Sequence, residues 1–366
     1  MNRRLNNELR NTNRTVSSSL EEPIHAKLYT EGEIIKDAEV FIGYNHRGIE
    51  KLATQKNFIQ TLALVERVCG ICSHSHPFTY AMAIENIAQM EVPKRGQYIR
   101  VIMAELERLH SHTLWLGLAC HLIGFDSMFM HIWDFREKIM DILEEISGNR
   151  VNYGMIIIGG SRRDINDDMR RKVNEMLDSL EVDIIKMRDM LLADKTIAMR
   201  TKNVGVLPYE DAIRIGTIGP HGRASGVNVD VRKDAPYSCY DEFDFEVPVV
   251  QDGDVFARVV IRVLESVESI KIIRQALENL PEGPINLGNK LPKVPAGEFT
   301  ARHEAPRGEV IYYVNTDGGQ TNYRISIHVP TFKTASTVPF MLKNNTIADA
   351  GLIIASIDPC FSCLDR

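Results

Sequence analysis

Arg67-Val68-Cys69-Gly70-Ile71-Cys72-Ser73-His74-Ser75-His76 and, far downstream, Asp358-Pro359-Cys360-Phe361-Ser362-Cys363-Leu364-Asp365-Arg366 are the two stretches on which the reading of this chain turns. Each carries a Cys-x-x-Cys pair, a spacing that brings two sulfurs within reach of one ion. Four thiolates from two remote segments can close a single site, which would tie one end of the fold to the other. Soft sulfur ligands suit zinc, Cu(I), iron–sulfur clusters or thiolate-held nickel. A structural four-cysteine zinc knot is one reading. The distance between the pairs argues against it, because small zinc knuckles are local. So does the charged setting, in which Arg67, His76 and Asp358 are candidates to surround and tune bound metal. Gly70 is expected to let the first loop turn tightly, and Pro359 to fix the approach of the second. Cys120 and Cys239 stand alone and are read as packed thiols.

Composition narrows the field. With 366 residues, 44% of them hydrophobic, the chain can bury a large core. A net charge of -6 argues against a nucleic-acid partner. No apolar run reaches the ~18 residues a membrane span needs; the closest, Thr113 to Phe125, contains His121. No secretory signal is evident, so six cysteines point to a reducing compartment and metal chemistry rather than disulfides. Residues 1–19 are polar and expected to be a mobile segment before a domain covering 20–366.

Periodicity predicts an α+β, predominantly helical fold: a long central helix bundle with small peripheral β-sheets. A hairpin is expected over Ile24 to Tyr44 around Glu31-Gly32-Glu33, and one helix over Ile49 to Val68. Pro93 should open a long helix whose stripe is Ile99, Ile102, Met103, Leu106 and Leu109, with Glu105 and Arg108 facing elsewhere. Further helices are expected over Asp126 to Ile146, ended by Gly148, over Asn166 to Leu192, and over Phe256 to Leu280. The stripe of the last is read as Val260, Val263, Leu264, Val267 and Ile270. Thr201 to Asp254 reads as irregular, and its Gly219 to Gly226 as a surface loop or a face for partners. Val310 to Val314 and Tyr323 to Val329 form a second predicted hairpin.

At this level the motifs resemble the large subunit of [NiFe] hydrogenases. The likeness rests on Arg-x-Cys-Gly-x-Cys-x-x-x-His and Asp-Pro-Cys-x-x-Cys-x-x-Arg. It is extended by His46-Arg47-Gly48-Ile49-Glu50, Glu304-Ala305-Pro306-Arg307-Gly308 and Val329-Pro330-Thr331, in the family's order. Arg100 to His112, Gly148 to Tyr153 and Gly159 to Asp164 resemble the membrane-bound, energy-converting branch, related to the catalytic-arm subunit of respiratory complex I. The resemblance runs from about Leu20 to Arg366.

That resemblance implies a nickel–iron centre with carbon monoxide and cyanide on iron. Cys69 and Cys360 would be terminal on nickel, and Cys72 and Cys363 would bridge the metals. It implies reversible heterolytic cleavage of H2, the proton passing to Cys360. Arg307, beside Pro306, would hang over the metals and bond a cyanide; Thr331 would donate to another; His76 would bond a bridging sulfur. His74 is left without a role. Glu22 of Leu20-Glu21-Glu22-Pro23 would contact Cys360 and relay the proton, with Glu21 next in line. The implied partners are a small subunit carrying the proximal iron–sulfur cluster, further iron–sulfur and membrane ion-translocating subunits, and ferredoxin. The implied place is the cytoplasmic face of the membrane. With four cysteines committed, no iron–sulfur cluster is expected in this chain. The alternative is a complex I-like connecting subunit without metals.

Three departures from the family pattern stand out. Arg14 to Ser19 replaces Gly-Pro-x-His-Pro. Ser111 stands between His110 and His112 where respiratory members have Asp. Arg366 stands where many mature relatives end in a magnesium-binding His. Arginine cannot ligate a cation, so magnesium is not expected, and Arg366 is expected deep in the subunit, paired with Glu50. The chain ends three residues past Cys363, as in a matured form or a member that needs no C-terminal cleavage.

Overall fold

The computed structural model describes residues 22–288 and 293–366. The segment 1–19, expected to be mobile, lies outside them, as does Glu21. Two antiparallel strands, β1 (His25–Glu31) and β2 (Ile34–Phe41), form the first hairpin where the alternation predicts it. The single helix expected over 49–68 is two: α1 (Ile49–Ala53) and α2 (Phe58–Glu66). The cause is local. Asn57 and Gln60 form a reciprocal capping box that starts a new helix.

After α3 (Ser75–Ile87), Pro93 caps α4 (Lys94–Leu122), the longest element described. The predicted stripe is buried, and so are Glu105 and Arg108 on its other sides. The helix is wrapped by protein all round, with its charges facing other buried charges. Next come α5 (Asp126–Ser147), ended by Gly148 at φ 81°, and a minimal hairpin of β3 (Ile156–Ile157) and β4 (Gly160–Ser161). Then follows α6 (Asp167–Ala193), whose N-cap Asn166 accepts from Met169 N. A short helix, α7 (Lys195–Thr201), leads into the segment read as irregular, and three more cross it: α8 (Tyr209–Ile215), α9 (Gly219–Arg223) and α10 (Val231–Asp234). Their caps, Asp194, Pro208 and Asp230 among them, are local signals too brief to show a period.

Helix α11 (Val255–Glu278) starts on Asp254, whose side chain accepts from Ala257 N. Its buried face shares only Val263 and Ile270 with the predicted stripe. Val260, Leu264 and Val267 are only half-buried, whereas Val259, Val263, Ile270, Ile273 and Leu277 enter the core. Arg258, Arg262 and Glu265 are buried beside them. A pattern of apolar residues alone misplaces a helix whose hidden side carries charge. Helices α4, α5, α6 and α11 pack into a bundle around one core.

A second core holds the first hairpin, α1 to α3 and a three-stranded antiparallel sheet. Its strands run β5 (Ala296–Ala305), β6 (Gly308–Asp317) and β7 (Asn322–His328). The hairpin of β6 and β7 was legible; β5, which holds Glu304, is an addition. The chain closes through α12 (Pro330–Thr334), α13 (Val338–Leu342), α14 (Ala350–Ser356) and α15 (Phe361–Asp365). The apolar residues of α14 are buried, so this helix carries the terminal cysteines inward. The observed class is the predicted one, helical with small peripheral sheets.

Candidate metal centre

Cys69 and Cys72 sit on the turn between α2 and α3; Cys360 and Cys363 sit at the start of α15 and within it. All four sulfurs are buried and lie within 4.8 Å of one another. Cys72 and Cys363 are 3.3 Å apart, Cys69 and Cys360 3.3 Å, and Cys360 and Cys363 2.8 Å. Each contact between the loops joins one sulfur of the first pair to one of the second. Gly70 does not use glycine's conformational freedom here, since its φ is not left-handed and a Cβ would only touch Val151 at 3.4 Å. Asp358 does the sharp turning instead, at φ 53°, an uncommon conformation for a residue with a side chain.

Four thiols so close cannot all ionise without a cation. Hydrogen bonding from Cys360, with the other two thiols, holds Cys69 well below the usual thiol range, whereas burial first of all pushes Cys363 well above it. A soft multivalent metal is what lets the remaining protons leave.

Beside Cys72, Cys360 and Cys363 is a small cavity lined by Ala305, Pro306, Arg307, Val329, Pro330 and Thr331, with His76 on its wall. Arg307 Nε donates to the Asp358 carbonyl and carboxylate, both at 3.0 Å, and its Nη2 lies 2.8 Å from the carboxylate. Its buried Nη1 has no hydrogen-bond partner among the described residues. Leaving a buried donor unpaired costs about 1–3 kcal/mol, so the arrangement favours an acceptor beside the sulfurs. Thr331 Oγ1 accepts from Cys360 N at 3.1 Å, which leaves its O–H to donate. His76 Nε2 lies 3.3 Å from Cys363 Sγ, and its Nδ1 lies 2.7 Å from the Tyr312 hydroxyl. Burial brings the His76 pKa down to about 4, so the ring is neutral. With Nε2–H donating to sulfur, the Tyr312 O–H must donate to Nδ1. Tyr312, a buried strand tyrosine, was not legible as a site residue.

Gly219 holds this wall in place. Its φ is 66°, and a Cβ there would lie 2.4 Å from the Arg307 carbonyl oxygen. The stretch Gly219 to Gly226, read as a surface loop or a face for partners, is therefore largely buried behind Arg307. Behind it lies an ion-pair network. Arg223 bonds Glu265 and Glu304, both at 2.9 Å; Glu265 bonds His112 at 2.8 Å; and Glu105 bonds Arg232 at 3.1 Å and Arg108 at 3.2 Å. Ser111, in the place where respiratory members have an acid, is buried with a hydroxyl that has no partner among the described residues. His110 beside it takes a 2.6 Å contact from Arg136.

Other expectations fare differently. Arg67 does not face the cysteines. As the cap of α2 it folds back onto Glu66 and the Ala63 carbonyl, with 57% of its side chain exposed. Glu22 is bonded to Ser362 rather than to Cys360: Oε2 accepts from Ser362 N at 2.7 Å, and Oε1 pairs with the Ser362 hydroxyl. His74 has a job, its Nε2 lying 2.9 Å from the Arg100 carbonyl. Glu107, unsuspected from sequence, accepts from His74 N and Ser75 N, and burial pushes its pKa up to about 8.

Glu50 and Arg366 meet, Oε1 to Nε at 2.9 Å, and Glu50 also accepts from Ile327 N at 2.9 Å. The Arg366 side chain is 25% exposed, so the pair lies at the rim rather than deep inside. Glu50→Gln is accordingly expected to cost about 1–3 kcal/mol, below the ~3–5 kcal/mol of a fully buried pair. A lowered thermal midpoint with unchanged response to added magnesium would show it. A divalent ion found at Glu50 in the parent would refute this reading of the pair.

Comparison with known proteins follows the geometry. Residues 123–293 and 287–366 match the 49 kDa subunit family of respiratory-chain NADH dehydrogenase, and residues 47–135 match nickel-dependent hydrogenases. The chain is 42% identical over 352 residues to the carbon monoxide-induced hydrogenase of Rhodospirillum rubrum, covering 95% of this chain and 96% of that one. It is 40% identical over 366 residues to the membrane-bound hydrogenase subunit alpha of Pyrococcus furiosus, covering 96% of this chain and 86% of that one. A chain in the solved structure of the membrane-bound sulfane sulfur reductase, an archaeal respiratory membrane complex, matches with a TM-score of 0.91 at 32% identity, covering 96% of each. Among the described residues no helix is long and apolar enough to cross a membrane.

Proposed function

This chain belongs to the family that unites nickel-dependent hydrogenases with the 49 kDa subunit of respiratory NADH dehydrogenase, and from that premise we propose that it is the catalytic subunit of an energy-converting [NiFe] hydrogenase. One observation carries the reading: two remote cysteine pairs converge beside a cavity lined by Arg307, whose buried Nη1 has no partner among the described residues. The donor set fits the group. Cys69, Cys72, Cys360 and Cys363 would hold nickel, with Cys72 and Cys363 shared by iron, and Arg307 and Thr331 offer hydrogen bonds to cyanide. A structural zinc site needs neither the cavity nor the poised guanidinium.

When bound, the nickel–iron group supplies the redox chemistry that cleaves H2 into two electrons and two protons. The chain's own residues do the rest. Cys360 holds a proton at Sγ, and Glu22, seated on Ser362, takes it toward solvent. Arg307 and its Asp358 partner fix the charge over the pocket, and His76 steadies the Cys363 sulfur. Pro306 and Pro330 keep the cavity wall stiff and apolar. Electrons pass to a small subunit with an iron–sulfur cluster, and through it to ferredoxin, in a complex with membrane ion-translocating subunits. The chain would sit at the cytoplasmic face of that membrane.

A second reading has specific support. The solved relative belongs to a sulfane sulfur reductase, and much of the chain matches the 49 kDa subunit family, so a complex I-like role without hydrogen chemistry is the alternative. Metal analysis of the purified complex separates the readings. About one nickel per copy of this subunit, with infrared bands of metal-bound CO and cyanide, is the expected result. A complex without nickel and without those bands, whether or not zinc is present, would overturn the hydrogenase reading.

A further inference from the structure

The motif His46-Arg47-Gly48-Ile49-Glu50 carries an arginine to which the resemblance assigns no role. In the structure Arg47 is an exposed residue whose guanidinium nevertheless spans both cysteine loops. Its Nη1 donates to the Arg67 carbonyl at 3.0 Å, and its Nη2 donates to the Val68 carbonyl at 2.7 Å. The same Nη2 donates to the Ser362 carbonyl at 2.9 Å. Val68 immediately precedes Cys69, and Ser362 immediately precedes Cys363. One rigid planar group thus touches the backbone next to one cysteine of each pair.

The surrounding backbone is built as a seat for the same tail. Gly43 N and Asn45 N donate to the Asp365 carboxylate at 2.9 Å, and His46 Nδ1 lies 2.7 Å from the Asp365 carbonyl. Arg47 N and Gly48 N donate to the Arg366 carbonyl at 3.3 and 3.2 Å. Ser362 is held on both sides, by Glu22 at its N–H and hydroxyl and by Arg47 at its carbonyl.

We propose that Arg47 is a positioning residue that sets the separation of the two cysteine pairs, and so the bite of the four-thiolate site. The inference rests on the hydrogenase reading only for what fills the site. The clamp itself is a property of the chain. A guanidinium fits the task because its donors are fixed in one plane and its charge strengthens each bond to a carbonyl. Lysine offers a single ammonium on a flexible stem and cannot reproduce the fork. Cys72 and Cys363 come from different loops, so a change in loop separation must alter both sulfurs that iron would share.

The test uses the whole complex carrying Arg47→Lys, with Arg47→Gln as the stronger variant. Two readouts are taken: hydrogen exchange of the amides in residues 361–366, and the infrared bands of CO and cyanide on iron. For Arg47→Lys we expect exchange roughly ten-fold faster, the consequence of losing one charge-assisted hydrogen bond. We also expect shifted bands with nickel and iron retained. Arg47→Gln should lose nickel to a chelator several-fold faster than the parent. If the Gln variant does not accumulate, the Lys variant alone decides. Unchanged exchange together with unchanged bands in the Lys variant overturns the proposal. Faster exchange with unmoved bands also overturns it, since a merely structural clamp would give that result. A parent without nickel or infrared bands defeats the hydrogenase reading instead. The clamp is then judged by exchange together with the affinity of the four cysteines for added Zn2+, and an unchanged affinity in the Lys variant overturns it.

Discussion

Arg307→Lys is expected to keep nickel and iron while turnover falls by ~10²–10³-fold, the usual cost of removing one preorganised donor from a reacting centre. The guanidinium is held by Asp358 through Nε and Nη2 on the wall of the cavity, and the third nitrogen, Nη1, has no hydrogen-bond partner among the described residues. Burial alone would weaken the Arg307 charge. The Asp358 carboxylate, with the nearby thiolates, more than offsets it and holds the pKa well above its ordinary value. The charge is therefore permanent, and its direction is fixed by a planar fork. Lysine keeps the charge but must choose between Asp358 and the cavity, because one ammonium cannot make the in-plane pair and the third contact together. Both side chains are 5% exposed. Asp358→Ala would thus strand a buried cation and cost about 3–5 kcal/mol, and it would confound activity with folding. The Lys variant avoids that. Metal content by elemental analysis, alongside hydrogen evolution, separates the two effects. Near-parental turnover with metals retained would reduce Arg307 to a packing role.

The sequence was most legible where chemistry forces residue type. Four cysteines, the arginine of Glu-Ala-Pro-Arg-Gly and the threonine of Val-Pro-Thr are spaced by motif, and the folded chain brings all of them but Cys69 to one cavity, with Cys69 behind it 3.3 Å from Cys360. Helices with ordinary caps were legible too, as with Pro93 before α4 and Gly148 after α5. Legibility failed where burial and polarity part company. Helix α11 hides Arg258, Arg262 and Glu265, each at most 1% exposed, and so defeats a reading in which charge marks the outside. Glu265 stays inside because Arg223 and His112 satisfy it, and Arg258 because the Ser356 hydroxyl and the Gly205 and Gly253 carbonyls do; the apolar period carries no trace of either. Arg67 failed for the opposite reason. Proximity in sequence to a cysteine suggested proximity in space, but a helix cap turned its side chain outward. Arg47 and Tyr312 act through contacts that join distant segments, and no local signal announces them.

Glu22→Gln is expected to leave the metals in place and to suppress exchange between H2 and D2O by ~10²–10⁴-fold, the range over which a positioned acid or base contributes. The geometry refines what sequence alone expected. Glu22 does not bond Cys360; both of its carboxylate oxygens are taken by Ser362, through the backbone N–H and the hydroxyl. Ser362 lies between Cys360 and Cys363, so the carboxylate is anchored on the loop whose sulfur would give up the proton under the proposed function. Glutamine has nearly the same size but offers one oxygen where two acceptors are used, and its amide cannot carry a proton. The seat would survive with one bond lost, about 1 kcal/mol, and the relay would not. Ser362→Ala serves as the control. It removes the hydroxyl contact and leaves the titratable group, so exchange should fall far less than in Glu22→Gln. Isotope exchange followed by mass spectrometry reads both variants. If Glu22→Gln exchanges as fast as the parent, the proton leaves by another path, and the buried Glu107, poised at a pKa of about 8 beside His74 and Ser75, becomes the carboxylate to replace next.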